Sequence, residues 1–414
     1  MKILLVNSTA YPTIGGVENS LRFMGRELLR AGHEVKIFCF QSPADQPLRT
    51  EHEGIEIIRC PYSPSRWPHK RMRYQVELVR SEIQPILREY QPDAVWSRSA
   101  CMGLGVALSG FQGLLLQIFC TTASMDSRGL YLQNSSIALR RNLMMLGLYL
   151  LHYPVACRIE RELLVQCQPI VFSENMRTQL EGRNGQRPSS VKVIPPGVDT
   201  GVFSVENAMG FFRRIEETYG FAPDAPYVLY VGRLSTAKNI PLLIEAIAKL
   251  EQSVKLVLVG SGPEEHRLRD YARKKGMANR VIFAGSQSDW LSGFYALAKV
   301  CVLPTTIESF GQVYLESLAC GTPVVGFAGD GRKILTATQE VVRDGETGAV
   351  VNRVNAESLA EKIDSILSLD DDGYAAMSQR AREDVVARFS WRRFVEEALS
   401  LSVQSSAADR GKET

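Results

Sequence analysis

Twice along its 414 residues the chain runs through one alternation: a strand-length apolar run, a turn, then a segment of helical period. In the first half the runs lie at 2–8, 34–40, 55–60, 93–97, 114–119, 169–173 and 191–196. In the second half they lie at 227–232, 255–260, 281–285, 300–304 and 323–328. Helix-period segments at 17–31, 239–250, 263–275 and 356–368 fall between them. Continuous β-branched runs mark strands covered on both faces, and strand–helix alternation marks parallel sheets. The expected fold class is therefore α/β, with two doubly wound, Rossmann-like domains; a chain of this length suits two cores better than one. The boundary is expected at Pro195-Pro196-Gly197, where a strand cannot continue and a helix cannot start. That gives an N-terminal domain over 1–196 and a C-terminal domain over 197–388. An amphipathic helix with an aromatic anchor is expected over 389–404, packing back on the N-terminal domain, and then a disordered polar tail over 405–414.

Composition excludes several classes. Hydrophobic content of 45% with 22% charged residues is that of a soluble globular protein. No apolar run reaches 18 residues, so no spanning helix is expected. The apolar run after Met1 stops at Asn7 and reads as a buried strand rather than a leader. None of the eight cysteines forms a C-x-x-C pair and several sit in apolar runs, the usage of small buried hydrophobes in a reducing compartment. The five histidines are scattered, so no metal cluster is expected, and the chain reads as cytoplasmic. Residues 1–199 hold 23 Lys and Arg against 17 Asp and Glu, while the remainder holds 25 against 28. A basic first half points to an anionic partner there, phosphate or membrane surface.

Chemistry-bearing motifs cluster in the second half. ESFGQVYLE (308–316) sets two carboxylates around a Phe-Gly turn, after the apolar run Val300–Leu303 and before a small-residue helix over Ser317–Cys320. With Glu308 starting a helix, first-turn amides offer donors and partial positive charge to a polyhydroxylated ligand. As helix, the pair spans about 12 Å, against about 5–5.5 Å in a retaining glycosidase, so the acids read as two separate hydrogen-bond acceptors. Taken alone they read more readily as an N-terminal capping acid and a solvated helix residue, since charged residues usually face water. VGRLSTAKN (231–239) places Arg233 and Lys238 around a turn at a strand's C-terminal end, able to clamp a diphosphate or simply to face water. LVGSGPE (258–264) is a strand–glycine–helix turn that helix capping also explains, and VIFAG (281–285) leads into the loop 286–289 on the same rim. In the first half, TIGGVE (13–18) opens a helix after the first strand, with paired glycines permitting close backbone approach but no G-x-G-x-x-G.

Together and in this order, these motifs resemble the family 4 glycosyltransferases, retaining enzymes of the GT-B fold, whose two domains face each other across a cleft. The resemblance runs from Gly15-Gly16 through IPPGVD (194–199), GRLSTAKN, GSGPE, VIFAG and ESFGQVYLESLACGTPVV (308–325) to FSW at 389–391. It implies transfer of a sugar from a nucleotide-sugar to a hydroxyl acceptor with retention, without a metal or other cofactor. Arg233 and Lys238 would hold the donor diphosphate, and Glu316 the ribose. Glu308, with backbone amides at Phe310, Gly311, Gln312 and Val313, would hold the transferred sugar. Gly15 and Gly16 would close over the donor, and Gln287 in the loop 286–289 would approach the base. The lack of an Asp-x-Asp metal site near a strand end agrees with cations offsetting the leaving charge. Two departures stand out. Relatives carry histidines at strand ends where this chain reads Trp96-Ser97-Arg98-Ser99 and Cys120-Thr121-Thr122, which makes Arg98 and Thr121 the candidate acceptor-side residues. The stretch 328–342 also holds extra residues before its Glu-Val-Val, beside the expected donor site.

PSRWPHKRMRY (64–74) sets four cations among aromatics, and 140–157 couples Arg140-Arg141 to an apolar run at 143–151 too short to span a bilayer. The first is an anionic-membrane candidate or an exposed basic loop, the second a surface segment or a buried helix. Peripheral association with the inner face of the membrane and a lipid-linked acceptor are the corresponding expectations. No nucleic-acid motif accompanies the small net charge. Two rival functions remain open: a non-hydrolysing nucleotide-sugar epimerase, which an acceptor-dependent assay separates, and a catalytically silent sugar-nucleotide-binding partner of a polysaccharide complex, which any measurable turnover excludes.

Overall fold

The computed structural model describes residues 1–12, 16–41, 46–63, 67–123, 125, 139–184, 191–221 and 225–410. It divides into two units, Met1–Gly197 with Trp391–Thr414, and Val198–Ser390.

The first unit is built on β1 (Lys2–Val6), β2 (Glu34–Phe40), β3 (Arg49–His52), β4 (Ile55–Cys60), β5 (Ala94–Ser97), β6 (Leu114–Phe119), β7 (Gln168–Val171) and β8 (Lys192–Val193). They form one sheet in the order β3-β4-β2-β1-β5-β6-β7-β8. Every pairing is parallel except β3 with β4. Central strands such as Ile3–Val6 and Val95–Trp96 are fully buried, as continuous apolar runs covered on both faces must be. β3, Arg-Thr-Glu-His, was not expected. It is a polar antiparallel edge strand whose Arg49 pairs with Glu56 of β4, and such a strand carries no apolar signal. The helix Trp391–Arg410 belongs to this unit. Trp391 and Phe394 stand edge-to-face at 5.6 Å, with Phe23 6.2 Å from Trp391 and Phe172 6.2 Å from Phe394. The helix runs on through 405–410, where the polar composition suggested a tail; Ala407 and Ala408 are strong helix formers that let it propagate. Residues 411–414 lie outside the described residues.

The basic segment also differs from expectation. From Pro68 onward it is not a loop but the start of the helix Pro68–Tyr90, with Pro68 at a first-turn position, where its missing N–H costs nothing. Pro64–Arg66 lie outside the described residues. Segment 140–157 lies within the helix Leu139–Leu164, whose side chains through 149 are likewise outside them. Leu150 and Leu151 are exposed. Among the described residues no helix is long and apolar enough to cross a membrane.

The second unit carries a wholly parallel sheet in the order β11-β10-β9-β12-β13-β14. Its strands are β9 (Tyr227–Val231), β10 (Lys255–Val259), β11 (Val281–Gly285), β12 (Val300–Leu303), β13 (Val324–Phe327) and β14 (Gly348–Val351). Ile240, Leu243, Ile244 and Ile247 of the helix Ile240–Ala248, with Leu359 and Ile363 of the helix Ala356–Leu367, pack against Val228, Leu256, Val300 and Val325. β14 was not expected either: Gly-Ala-Val-Val is too short to stand out as a run, and pairing with β13 is what makes it a strand.

Candidate functional site

The order of the second sheet creates the site. The chain lays β10 and β11 on one side of β9, then crosses to place β12, β13 and β14 on the other. Loops after β9 and β12 therefore leave in opposite directions, opening a crevice beyond the carboxyl ends of adjacent strands. The first loop turns through Gly232 (φ 148°), anchors itself with the buried Leu234, and ends in a one-turn helix, Thr236–Lys238. Asn239 follows in the left-handed region (φ 52°), and its Nδ2 donates to the Pro304 carbonyl at 3.2 Å, joining the two loops. Beside this bond Lys238 Nζ meets Glu308 Oε2 at 2.7 Å. Arg233 is exposed on the same loop, whose backbone is held by Tyr230 Oη donating to the Arg233 carbonyl at 3.1 Å. Lys238 is thus ion-paired rather than solvated.

GSGPE supports this loop from behind. A Cβ on Gly260 would lie 2.0 Å from the Gly232 carbonyl oxygen, and one on Gly262 2.3 Å from that of Leu234. The Leu234 amide donates to Ser261 O at 2.9 Å. These glycines allow backbone to pack on backbone and so set the height of the Arg233 loop.

The 308–316 segment is organised differently from the sequence reading. Glu308 does not start a helix, and Ser317–Cys320 does not form one of its own. The helix is Gln312–Ala319, preceded by Gly311 at φ 88°. Local apolar spacing concealed this start because the left-handed glycine and the buried Phe310, edge-to-face with Phe389 at 5.7 Å, set it. The helical ruler consequently does not measure the separation of the two acids. Glu308 stands before the turn, its amide donating to Leu335 O at 2.8 Å. Leu335 in turn donates to Thr306 O at 2.7 Å, so the extra residues in 328–342 are stitched alongside Glu308. Asp330 Oδ1 organises their tip, accepting from the amides of Arg332, Lys333 and Ile334 at 2.7–2.8 Å. Gln312 and Val313 occupy the first turn of the helix, half-buried.

One turn further on, Glu316 Oε2 accepts from the Tyr295 hydroxyl at 2.7 Å. Burial pushes the Glu316 carboxyl up to about 7, and the Tyr295 hydrogen bond pulls against it. Gln287 is half-buried, and its amide donates to Tyr219 Oη at 2.7 Å and to the Ala284 carbonyl at 2.8 Å, so its donors hold the end of β11.

The first unit has the same reversal, between β1 and β5. There the strand ends line a cavity of about 300 Å³ bounded by Asn7, Arg98, Gln117, Cys120, Thr121 and Glu160, among others. Arg98 is buried, its Nη2 3.1 Å from Cys120 Sγ and its guanidinium 5.8 Å from the Phe172 ring centroid. Thr121 is exposed at the rim. Glu160, also buried, accepts from the Ala123 amide at 2.9 Å. Sequence reasoning missed Glu160, although a signal existed: with Ala156, Ile159, Leu163 and Leu164 it forms one helical face, all buried. Of the paired glycines, Gly16 opens the helix Gly16–Arg30, and Gly15 lies outside the described residues.

Two family models match the chain: Glycosyltransferase Family 4 over residues 14–202 and Glycosyl transferases group 1 over residues 211–384. A D-inositol 3-phosphate glycosyltransferase from Acidothermus cellulolyticus is 36% identical over 237 residues, 54% of this chain and 50% of that protein. The chain thus matches about half the length of such relatives. A GDP-mannose-dependent alpha-(1-6)-phosphatidylinositol monomannoside mannosyltransferase from Mycolicibacterium smegmatis is 25% identical over 94% of this chain and 95% of its own. The solved structure of a sucrose-phosphate synthase from Thermosynechococcus elongatus superposes with a TM-score of 0.78 at 25% identity, covering 98% of this chain and 99% of that one.

Proposed function

The chain belongs to the family 4 glycosyltransferases and has the GT-B fold, and from that premise we propose that it transfers a sugar from a nucleotide-diphosphate-sugar to a hydroxyl acceptor with retention of configuration. The observation that carries this reading is the meeting of Lys238 and Glu308 where β9 and β12 diverge. A cation and a carboxylate in contact form a ready-made receptor for a ligand with an anionic and a hydroxylated end. The donor diphosphate takes Lys238 and Arg233, Arg as a fork and Lys as a point charge. Glu308, released from its lysine, accepts from sugar hydroxyls, the amides from Phe310 to Val313 face the same group, and Glu316 accepts from the ribose. Gln287 stands at the base end.

As the glycosidic bond to the diphosphate breaks, negative charge grows on the leaving oxygen, and Arg233 and Lys238 offset it without a divalent metal. The leaving phosphate takes the proton from the acceptor hydroxyl, which attacks on the same face. The acceptor lies at the β1/β5 cavity, with Arg98 and Thr121 as its polar contacts. The exposed Lys70, Arg71 and Arg73 beside Trp67 and Tyr74 suit an anionic membrane surface and a lipid-linked acceptor. The name of the Mycolicibacterium relative, with its phosphatidylinositol monomannoside, supports that choice.

A thermal-shift screen across UDP-, GDP- and ADP-sugars tests the donor, since a bound ligand raises stability by mass action. Turnover with the best donor, followed by NMR of the product anomer, tests retention; a product of inverted configuration overturns it. Activity in EDTA is expected to equal that in buffer, and loss restored by Mg²⁺ or Mn²⁺ contradicts the metal-free reading.

A further inference from the structure

We propose that Tyr295 is a positioning residue for donor binding, its hydroxyl holding Glu316 Oε2 so that the ionised carboxylate presents Oε1 to the nucleotide. The inference rests on the reading of Glu316 as the ribose acceptor. Tyr295 is fully buried in the helix Leu291–Leu297 and fixed from three sides. Its ring stands edge-to-face with Phe203 at 6.0 Å. Its carbonyl accepts from Thr322 Oγ1 at 2.6 Å, and the Thr322 carbonyl accepts from Ser317 Oγ at 2.9 Å. This chain of bonds ties the tyrosine backbone to the helix that carries Glu316, so the 2.7 Å hydroxyl–carboxylate contact joins two elements already locked together. A hydroxyl donating to a carboxylate stabilises the charged form and fixes its rotamer.

The surroundings make Glu316 the group that titrates near neutrality. Burial lifts its carboxyl to about 7, with the Tyr295 bond acting downward. Around it, burial pushes the Cys301 thiol up and the Cys320 thiol up to about 12, so both stay neutral. Tyr295 itself is held well above the ordinary phenol range, again chiefly by burial, and remains a donor. From the helix Asp371–Arg388 packed alongside, Arg382 donates to the Ala319 carbonyl and lies 3.5 Å from Glu206. Glu206 is held below the ordinary carboxylate range, chiefly by a backbone hydrogen bond and then by Ser204.

The test measures dissociation constants of UDP-glucose, GDP-mannose and ADP-glucose from pH 6 to 8.5, a window in which their diphosphate diesters do not titrate. Wild type, Tyr295→Phe and Glu316→Gln are compared. Wild-type affinity is expected to rise with pH. Tyr295→Phe should displace that curve upward by about one pH unit while approaching wild-type affinity at pH 8.5, and Glu316→Gln should bind weakly and without pH dependence. A Tyr295→Phe curve weakened evenly at every pH, with its midpoint unmoved, makes the tyrosine a packing residue and overturns the inference alone. Glu316→Gln binding with wild-type affinity and pH profile overturns the ribose assignment and the inference with it. Infrared titration of the ligand-free proteins, with Glu316 isolated as the difference from Glu316→Gln, must show the same upward displacement in Tyr295→Phe. Its absence overturns the inference whatever the ligand data show.

Discussion

At the β9/β12 divergence a lysine and a carboxylate meet at 2.7 Å with partial solvent access, whereas at the β1/β5 divergence an arginine and a glutamate are buried around a 300 Å³ cavity. The same topological device thus carries two kinds of chemistry. Half-exposed charges are cheap to keep and free to exchange partners, which suits a ligand that arrives and leaves with its own charge. Buried charges are expensive to desolvate and persist only where the structure satisfies them, which suits fixed recognition of one shape. The difference teaches where to look for rate and where for selectivity: mutations at the first divergence should act on the chemical step, and those at the second on which acceptor is used.

The sharpest way to break this comparison is Lys238→Ala or Arg233→Ala. Each is expected to lower kcat by about 10²–10³-fold with the fold intact, the usual cost of removing one electrostatic donor from developing charge. Steady-state kinetics and circular dichroism check it, and near wild-type turnover ends the assignment. At the other divergence, Arg98→Ala is expected to raise the acceptor KM by about 10–100-fold, the loss of a buried charged hydrogen-bonding group. Donor affinity should be unchanged. A change in donor affinity instead would show that the two divergences do not divide the work as described.

Glu316→Gln sharpens the picture from the stability side. Its carboxyl titrates near 7 in the folded protein against an ordinary value of 4.5. A raised folded-state value means the native protein binds the proton more tightly than the unfolded chain. The associated stability is fully present below about 4.5 and is lost as pH rises to about 7. The amide removes that loss. Ligand-free Glu316→Gln is therefore expected to be more stable than wild type at pH 8, by up to about 3 kcal/mol, and to lose the advantage as pH falls toward 4.5. Thermal melts across pH test this, and equal melting temperatures at pH 8 would remove burial as the dominant influence on Glu316. The smallest effect expected is membrane binding. Each of Lys70, Arg71 and Arg73 contributes about 1 kcal/mol at an anionic surface, so co-sedimentation with anionic vesicles should fall toward that with neutral ones as salt is raised. Equal recovery on both leaves the start of the helix Pro68–Tyr90 as solvated surface.

Legibility differed between the two divergences for physical reasons. In the second unit the loops are short and their chemistry is local. Arg233 and Lys238 follow a single strand, Glu308 and Glu316 frame one turn, and the glycines mark where backbones approach. In the first unit nothing local joins Arg98 to Glu160, which lies on a helix 62 residues away in the chain. Only a break in an apolar helical face hinted that the glutamate is buried. Tyr295 was invisible in another way, since a tyrosine within an apolar segment reads as core, and it is core apart from one oxygen.

What the sequence by itself determined is the set of buried surfaces. Apolar runs that need cover on both faces and helical faces that need a sheet allow little besides parallel α/β units. Polar edge strand β3 and four-residue β14 carry too little apolar area to announce themselves, and pairing with a neighbour decided both. Partners were likewise a matter of tertiary structure. Lys238 could as easily have faced water, Glu308 could have capped a helix, and Glu316 could have stayed an ordinary surface acid. Their roles depend on which strand ends lie side by side, and strand order is a long-range property that no local pattern of residues encodes.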